Sequence, residues 1–197
     1  ILARVPTSVF WLLKDTKASR DEDTIVTKNF RTAAAAAGVD PARLLFSDPV
    51  DWPKHVRRGA LVDLFLDTTG YNAHSTGANS LWAGVPLLTL AGEKMAARVA
   101  AGMNRAAFAS AYTARTLAEY EVLAVRIATR PAVSEPLRRR FAARRTDAPL
   151  FDTRAMVKAL ERGMAMAADA LAANGGRAGG AGSYMHVIPH ARGRDVS

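Results

Sequence analysis

Short apolar runs alternate with amphipathic stretches through the first half of the chain. SVFWLL at Ser8–Leu13, bounded by Pro6 and by Lys14 and Asp15, is rich in strand formers and predicts a buried strand. DTIVTKNFRTAAAAAGV, from Asp23, has a capping residue, an alanine-rich body and a closing Gly38, the marks of a helix with its stop signal. RLLF at Arg43–Phe46 is a second short apolar run after Asp40 and Pro41. From Pro53 to Val62, an early proline and the spacing of Val56, Leu61 and Val62 predict a short helix. DLFL at Asp63–Leu66 follows as a third strand and ends in Asp67. The polar loop TTGYNAHSTGANS leads into Leu81, Trp82 and Ala83 on a helical pattern; Gly84 and Pro86 break it, and Leu87–Leu90 is a fourth strand.

Strands separated by helices of about ten to fifteen residues imply crossovers and a parallel sheet, hence an α/β, doubly wound fold. The four runs are apolar on both faces, as strands covered on both sides should be. From Ala96 the pattern turns helical: a segment through Ala109, then Thr116–Thr129, Glu135–Arg145 and Thr153–Ala173, with only Ala109–Tyr112 offering a further short strand. The folded part is thus expected over residues 1–173, with a helical carboxy-terminal segment. The glycine-rich stretch GGRAGGAGS begins a tail, 174–197, expected to be disordered. Ile1–Val5 reads as the last turn of a helix, and with no methionine at its head the chain opens like the middle of something longer.

Composition narrows the chemistry. A chain of 197 residues that is 49% hydrophobic can bury a substantial core in one main domain. Its 27 Lys and Arg against 18 Asp and Glu give a formal charge of +9, which attracts phosphates, nucleic acid or acidic membrane but says nothing about fold. The charge is spread out, with knots at Lys54–Arg58, Arg138–Arg145 and the chain end, and lacks the interleaved aromatics of a single-strand binder. Specific nucleic-acid binding is therefore not expected. With no cysteine there is neither a disulfide framework nor a thiolate site, and four scattered histidines give no metal site; a reducing compartment fits. No apolar run approaches the roughly 20 residues of a membrane helix, and the opening lacks a signal-peptide pattern.

Two turns could carry chemistry. In a doubly wound sheet ligands lie beyond the carboxyl ends of the strands, and phosphate meets the free amides at a helix amino terminus. His74, Ser75, Thr76 and Gly77 stand where the loop after the third strand becomes a helix. They offer hydroxyls, a ring N–H and backbone amides to one anion, although spacing alone favours an ordinary N-cap. Neither GxxxxGK nor GxGxxG occurs. In the second turn, KHVRRG at Lys54–Gly59, His55 and Arg58 are three apart and share a helical face. A stacking ring beside a guanidinium suits a nucleobase with carbonyl oxygens, and a solvated basic turn is the alternative.

The stretch from His55 to Pro86, HVRRGALVDLFLDTTGYNAHSTGANSLWAGVP, closely resembles the signature of the protein O-linked N-acetylglucosamine transferases. In that family an HVRRG-type helix precedes LDT, a short loop, a GHTTG-like turn and LWAGxP. ILARVPTSVFWLL upstream, and LTLAGEKMAARVA, LAEYE and PLFDT downstream, match in order and spacing, so the likeness covers Ile1–Ala173. It implies a two-lobed GT-B fold of which this chain is the second, nucleotide-sugar-holding lobe. It also implies inverting transfer of N-acetylglucosamine from UDP-GlcNAc to Ser or Thr hydroxyls of cytoplasmic or nuclear proteins, with no metal and no cofactor beyond the donor.

Carried over by position, His55 and Arg58 would lie against the uracil with backbone groups near Val50, and His74, Ser75 and Thr76 would meet the diphosphate. Asn79 stands where the family has an aspartate facing the ribose, and Trp52 where it has a lysine, with Lys54 close by; weakened ribose contact is expected. Catalytic residues are expected in an upstream lobe, beyond this chain along with tetratricopeptide repeats, so no transfer is expected from the chain alone. A Spindly-type O-fucosyltransferase with a GDP donor, and a non-catalytic nucleotide- or partner-binding relative, are the alternatives.

Overall fold

The computed structural model describes residues 1–14 and 25–173 of the chain. They divide into two compact units, Ile1–Ala148 and a second that begins at Pro149. The tail expected over 174–197, and Asp23 as cap of the first helix, lie outside the described residues.

The first unit alternates strands and helices. In order they are β1 (Phe10–Leu13), α1 (Ile25–Ala36), β2 (Leu44–Ser47), α2 (Trp52–Gly59), β3 (Phe65–Leu66), α3 (Ser75–Trp82), β4 (Leu87–Leu90), α4 (Val99–Ala106), β5 (Thr113–Ala114), α5 (Leu117–Thr129) and α6 (Pro131–Arg144). Every strand pair is parallel, as the alternation requires. β1 pairs with β2 in the register Phe10 to Leu44, while β3, β4 and β5 form a second ladder with β4 central. The sequence expectation of four equally covered strands needs correction here. Leu87, Leu88 and Thr89 of β4 are buried, whereas Leu13 at the end of β1 and Leu45 in β2 are exposed. β4 is the strand against which α3, α4 and α5 all pack.

A fifth strand also differs from expectation. Ser110–Tyr112 form a 3₁₀ turn, and the strand is the pair Thr113–Ala114 that follows. Asn104 of α4 helps place it: its Nδ2 donates to the Leu87 carbonyl at 2.8 Å and to Thr113 Oγ1 at 3.2 Å, tying β4 to β5 from within the core. Beside it Leu88, Ala114, Tyr120 and Ala124 form a buried cluster flanked by Leu64, Leu66, Leu90 and Leu123.

Local signals explain the element ends. Gly38 and Gly84 have φ of +70° and +82°, the left-handed conformation that ends α1 and α3 and that a side chain would strain. Thr116 caps α5 by accepting from the Glu119 amide at 3.0 Å. Ile1–Val5 holds the 3₁₀ turn Leu2–Arg4, fastened by Arg43, the residue just before β2, whose guanidinium donates to the carbonyls of Leu2, Val5 and Ser8.

The second unit contains a 3₁₀ turn at Pro149–Phe151 and α7 (Thr153–Ala173). Asp152 caps α7 by accepting from the Ala155 amide at 2.9 Å. Among the described residues no helix is long and apolar enough to cross a membrane.

Candidate functional site

The facing sides of α2 and α3 and the loop after β3 build two adjoining crevices. The smaller, of about 70 Å³, lies between α2 and α3 and includes His55, Val56, Gly59, Thr76, Asn79 and Ser80 in its walls. Helical geometry selects these residues, since 55, 56 and 59 form one stripe of α2 and 76, 79 and 80 one stripe of α3. The larger, of about 360 Å³, follows the loop from Asp67 through Tyr71, Asn72 and His74 to Ser75 and Thr76. Phe65 and Thr76 line both, so Thr76 stands where the two meet. The two sequence-predicted turns are therefore neighbours in space.

On the α2 side, Arg58 has three partners. Its Nη1 donates to the Asp48 carbonyl at 2.8 Å, its guanidinium lies 5.7 Å from the centre of the Trp11 ring, and Nη2 is 3.3 Å from His55 Nδ1. A guanidinium only donates, so Nδ1 is the accepting nitrogen and the proton of the neutral ring sits on Nε2. Arg58 thus holds His55, which faces the crevice, and does not itself line it. Val50 belongs to the loop between β2 and α2, is 42% exposed, and lies outside both crevices.

On the α3 side, His74 occupies the N-cap position without capping the helix through its side chain. The amides of Ser75, Thr76 and Gly77 precede the first intrahelical bond, Ala78 N–H to the His74 carbonyl at 3.0 Å, so they point out of the helix end. With the hydroxyls of Ser75 and Thr76 they form a cluster of donors suited to an anion. The His74 ring stacks on Tyr71, centroids 4.8 Å apart, with Nε2 3.4 Å from the Ala96 carbonyl. A carbonyl only accepts, so Nε2 carries the hydrogen and Nδ1 is bare in the neutral ring.

Gly77 lets α3 approach β4. A Cβ there would lie 2.8 Å from Met103 Cε, 3.1 Å from Leu87 Cδ2 and 3.2 Å from Ala73 Cβ. The first two can swing away; Ala73, next to His74, cannot. Gly77→Ala is expected to destabilise the chain by about 1–3 kcal/mol, read as a lower urea midpoint with unchanged slope. An unchanged midpoint would show that the turn has more room than these distances allow.

Sequence reasoning missed the residue that shapes the loop. Asp67 at the end of β3 is 5% exposed; its Oδ1 accepts from the amides of Thr68 at 2.9 Å and Ala73 at 2.6 Å, and its Oδ2 from Thr89 Oγ1 at 2.6 Å. The carboxylate thus closes the loop on itself and ties it to β4. Burial pushes the Asp67 carboxyl above its ordinary range, against the lowering effect of those three hydrogen bonds. Its backbone carbonyl accepts from the Tyr120 hydroxyl at 2.9 Å, and burial raises that phenol too. Asn72 completes the brace, its side chain donating to the Thr68 carbonyl and its amide to that of Ala96, both at 2.8 Å. An acidic residue closing an apolar strand just before a Thr- and Gly-containing loop was the available signal. Among the described residues, no group of three or more His, Asp or Glu stands where it could hold a metal ion.

The chain is 42% identical over 163 residues to the probable UDP-N-acetylglucosamine-peptide N-acetylglucosaminyltransferase SEC of Arabidopsis thaliana, covering 82% of this chain and 16% of that protein. It is 35% identical over 154 residues to the UDP-N-acetylglucosamine-peptide N-acetylglucosaminyltransferase of Caenorhabditis elegans, covering 78% and 13%. The chain therefore spans only about a sixth or less of the length of these relatives. Among solved structures, a mutant of the Thermobaculum terrenum O-GlcNAc transferase matches with a TM-score of 0.70 and 25% identity, over 83% of this chain and 31% of that one. Residues 1–160 match the sequence profile described as Glycosyl transferase family 41, and the chain belongs to that family.

Proposed function

We propose that this chain is the nucleotide-holding part of a protein O-GlcNAc transferase, which moves N-acetylglucosamine from UDP-GlcNAc to Ser or Thr hydroxyls of protein acceptors. One observation carries the reading: the crevice walled by His55 and Asn79 and the crevice ending at His74, Ser75 and Thr76 meet at Thr76. A nucleoside at the first would place its diphosphate at the second. His55, held by Arg58, offers an Nε2 donor toward a base carbonyl, and backbone groups near Val50, in the loop before α2, are assigned to the same base. Asn79 faces the sugar of the nucleoside.

The chemistry asks this part for one thing. As the bond from sugar to phosphate breaks, negative charge grows on the departing diphosphate. The amides at the start of α3 already point outward beside the exposed side chains of Ser75 and Thr76, so these donors stabilise that charge with little reorganisation. The base that activates the acceptor hydroxyl belongs to protein outside this chain, so the chain alone binds nucleotide and does not transfer sugar.

Calorimetric titration of the chain with UDP, UDP-GlcNAc and GDP-fucose tests the reading. Saturable binding that prefers the uridine ligands is expected, and Thr76→Val should weaken UDP by about tenfold, the worth of one hydrogen bond to a charged group. Absence of saturable UDP binding would overturn the proposal, and a preference for GDP-fucose would transfer it to a Spindly-type fucosyl donor.

A further inference from the structure

Trp52 opens α2 and projects toward α3, where its indole Nε1 lies 3.3 Å from Asn79 Oδ1. Its side chain is otherwise open, the residue being 61% exposed. Trp52 is one helical turn before His55 and Val56, so it extends the α2 stripe that walls the small crevice. An exposed tryptophan is thus fastened by its only polar atom to a residue of the facing helix, at the rim of that crevice.

We infer that Trp52 and Asn79 act as one nucleoside-recognising unit: the indole N–H orients the Asn79 amide so that Nδ2 donates to a sugar hydroxyl, while the indole face stacks on the base. The inference rests on the nucleotide reading above and deepens it. Three observations support it. An indole N–H can only donate, so the Asn79 atom facing it is the carbonyl oxygen, which leaves the amide nitrogen for a ligand. At about 70 Å³ the crevice is far below the 300–1,000 Å³ of ordinary ligand pockets, so a base must lie over its mouth and not inside it. Trp52, exposed, stands one helical turn before the His55 and Val56 wall of that crevice and is bonded to Asn79 of its opposite wall.

The unit has a stated selectivity. Where a carboxylate would present acceptors and a negative charge beside a diphosphate, the Trp52–Asn79 pair presents a neutral donor, suited to the oxygen of a ribose hydroxyl. Stacking on an indole is tolerant of base identity, so base choice stays with His55 and sugar choice with Asn79.

Titration of the chain with UDP and with 2′,3′-dideoxyuridine diphosphate separates the two roles. The parent chain should prefer UDP by about tenfold, near the upper worth of a neutral hydrogen bond. Trp52→Phe keeps a ring and removes the N–H, so the preference should fall to about threefold or less as the Asn79 amide turns freely. Trp52→Ala should in addition weaken both ligands by about tenfold relative to Trp52→Phe, through loss of stacking. In Asn79→Ala, adding Trp52→Phe should change the UDP preference no further. Because Trp52 is exposed, unchanged unfolding midpoints are expected to accompany these variants and exclude misfolding. A Trp52→Phe chain with the full preference for UDP, or Trp52→Ala binding as well as Trp52→Phe, overturns this inference and leaves the nucleotide reading intact. Failure of the parent chain to bind UDP overturns both.

Discussion

Asp67→Ala is expected to destabilise the chain by about 3 kcal/mol or more and to abolish ordered binding at the loop after β3. Its carboxylate takes hydrogen bonds from Thr68 N, Ala73 N and Thr89 Oγ1. Removing one acceptor group strands three donors, at about 1–3 kcal/mol for each that remains buried. Asp67→Asn keeps the shape: the amide oxygen can accept the two backbone bonds, and Thr89 can turn its hydroxyl to accept from Nδ2. The asparagine variant should therefore fold, and comparison of the two separates loss of hydrogen bonding from loss of charge. Urea denaturation reads the difference, and equal midpoints for the alanine variant and the parent would refute this account of the loop.

The same pair of chains carries a pH signature. Burial raises the Asp67 carboxyl in the native state above its ordinary value of 3.8. The native state then keeps its proton to higher pH than the unfolded chain does. The associated stability is fully present below that ordinary value and is lost as pH rises through the raised native one. Asp67→Asn cannot titrate, so the midpoint of the parent relative to Asp67→Asn should decline as pH rises from strongly acidic toward neutral. A difference that is flat with pH, or that grows in favour of the parent, would contradict the raised carboxyl.

Leu88→Ala is expected to destabilise the chain by about 3 kcal/mol, within the range for truncating a fully buried leucine. Leu88 has 0% exposure in the centre of β4 and packs with Ala114, Tyr120 and Ala124. Two of those neighbours are alanines, which cannot extend into the void, so the cavity stays open. Tyr120 shares the cluster and donates to the Asp67 carbonyl, so the lesion should also loosen the loop and weaken UDP alongside the lowered midpoint. Leu88→Met, which nearly conserves volume, should lose less than about 1.5 kcal/mol. A Leu88→Ala chain as stable as Leu88→Met would show that the cluster repacks.

Much of the architecture was legible because local chemistry and tertiary placement agree. The apolar runs at Phe10, Leu44 and Leu87 became strands, and Gly38 ended α1 as a helix-stop glycine does. His74, Ser75 and Thr76 stand at the start of α3 as their types suggest. Where expectation and structure part, the deciding contact is distant in sequence. β5 is two residues long and has no pattern of its own; it exists because β4 lies beside it and Asn104 bonds Thr113 from α4. Arg58 shares a helical face with His55, and its further contacts, the Asp48 carbonyl and the Trp11 ring, come from a loop and another strand.

By itself the sequence determined the alternation of parallel strands and helices, the location of the two candidate turns and, through its motifs, the family. Periodicity and helix-end chemistry are local, and a residue's neighbours within a few positions express them. Only the tertiary structure decided that the two crevices share Thr76, that Thr89 and Tyr120 hold Asp67 and so anchor its loop, and that Trp52 and Asn79 are bonded to each other. Those relations depend on the packing of α2 against α3 and of β3 against β4, set by the burial of side chains from many segments together, and no short window of the chain contains them.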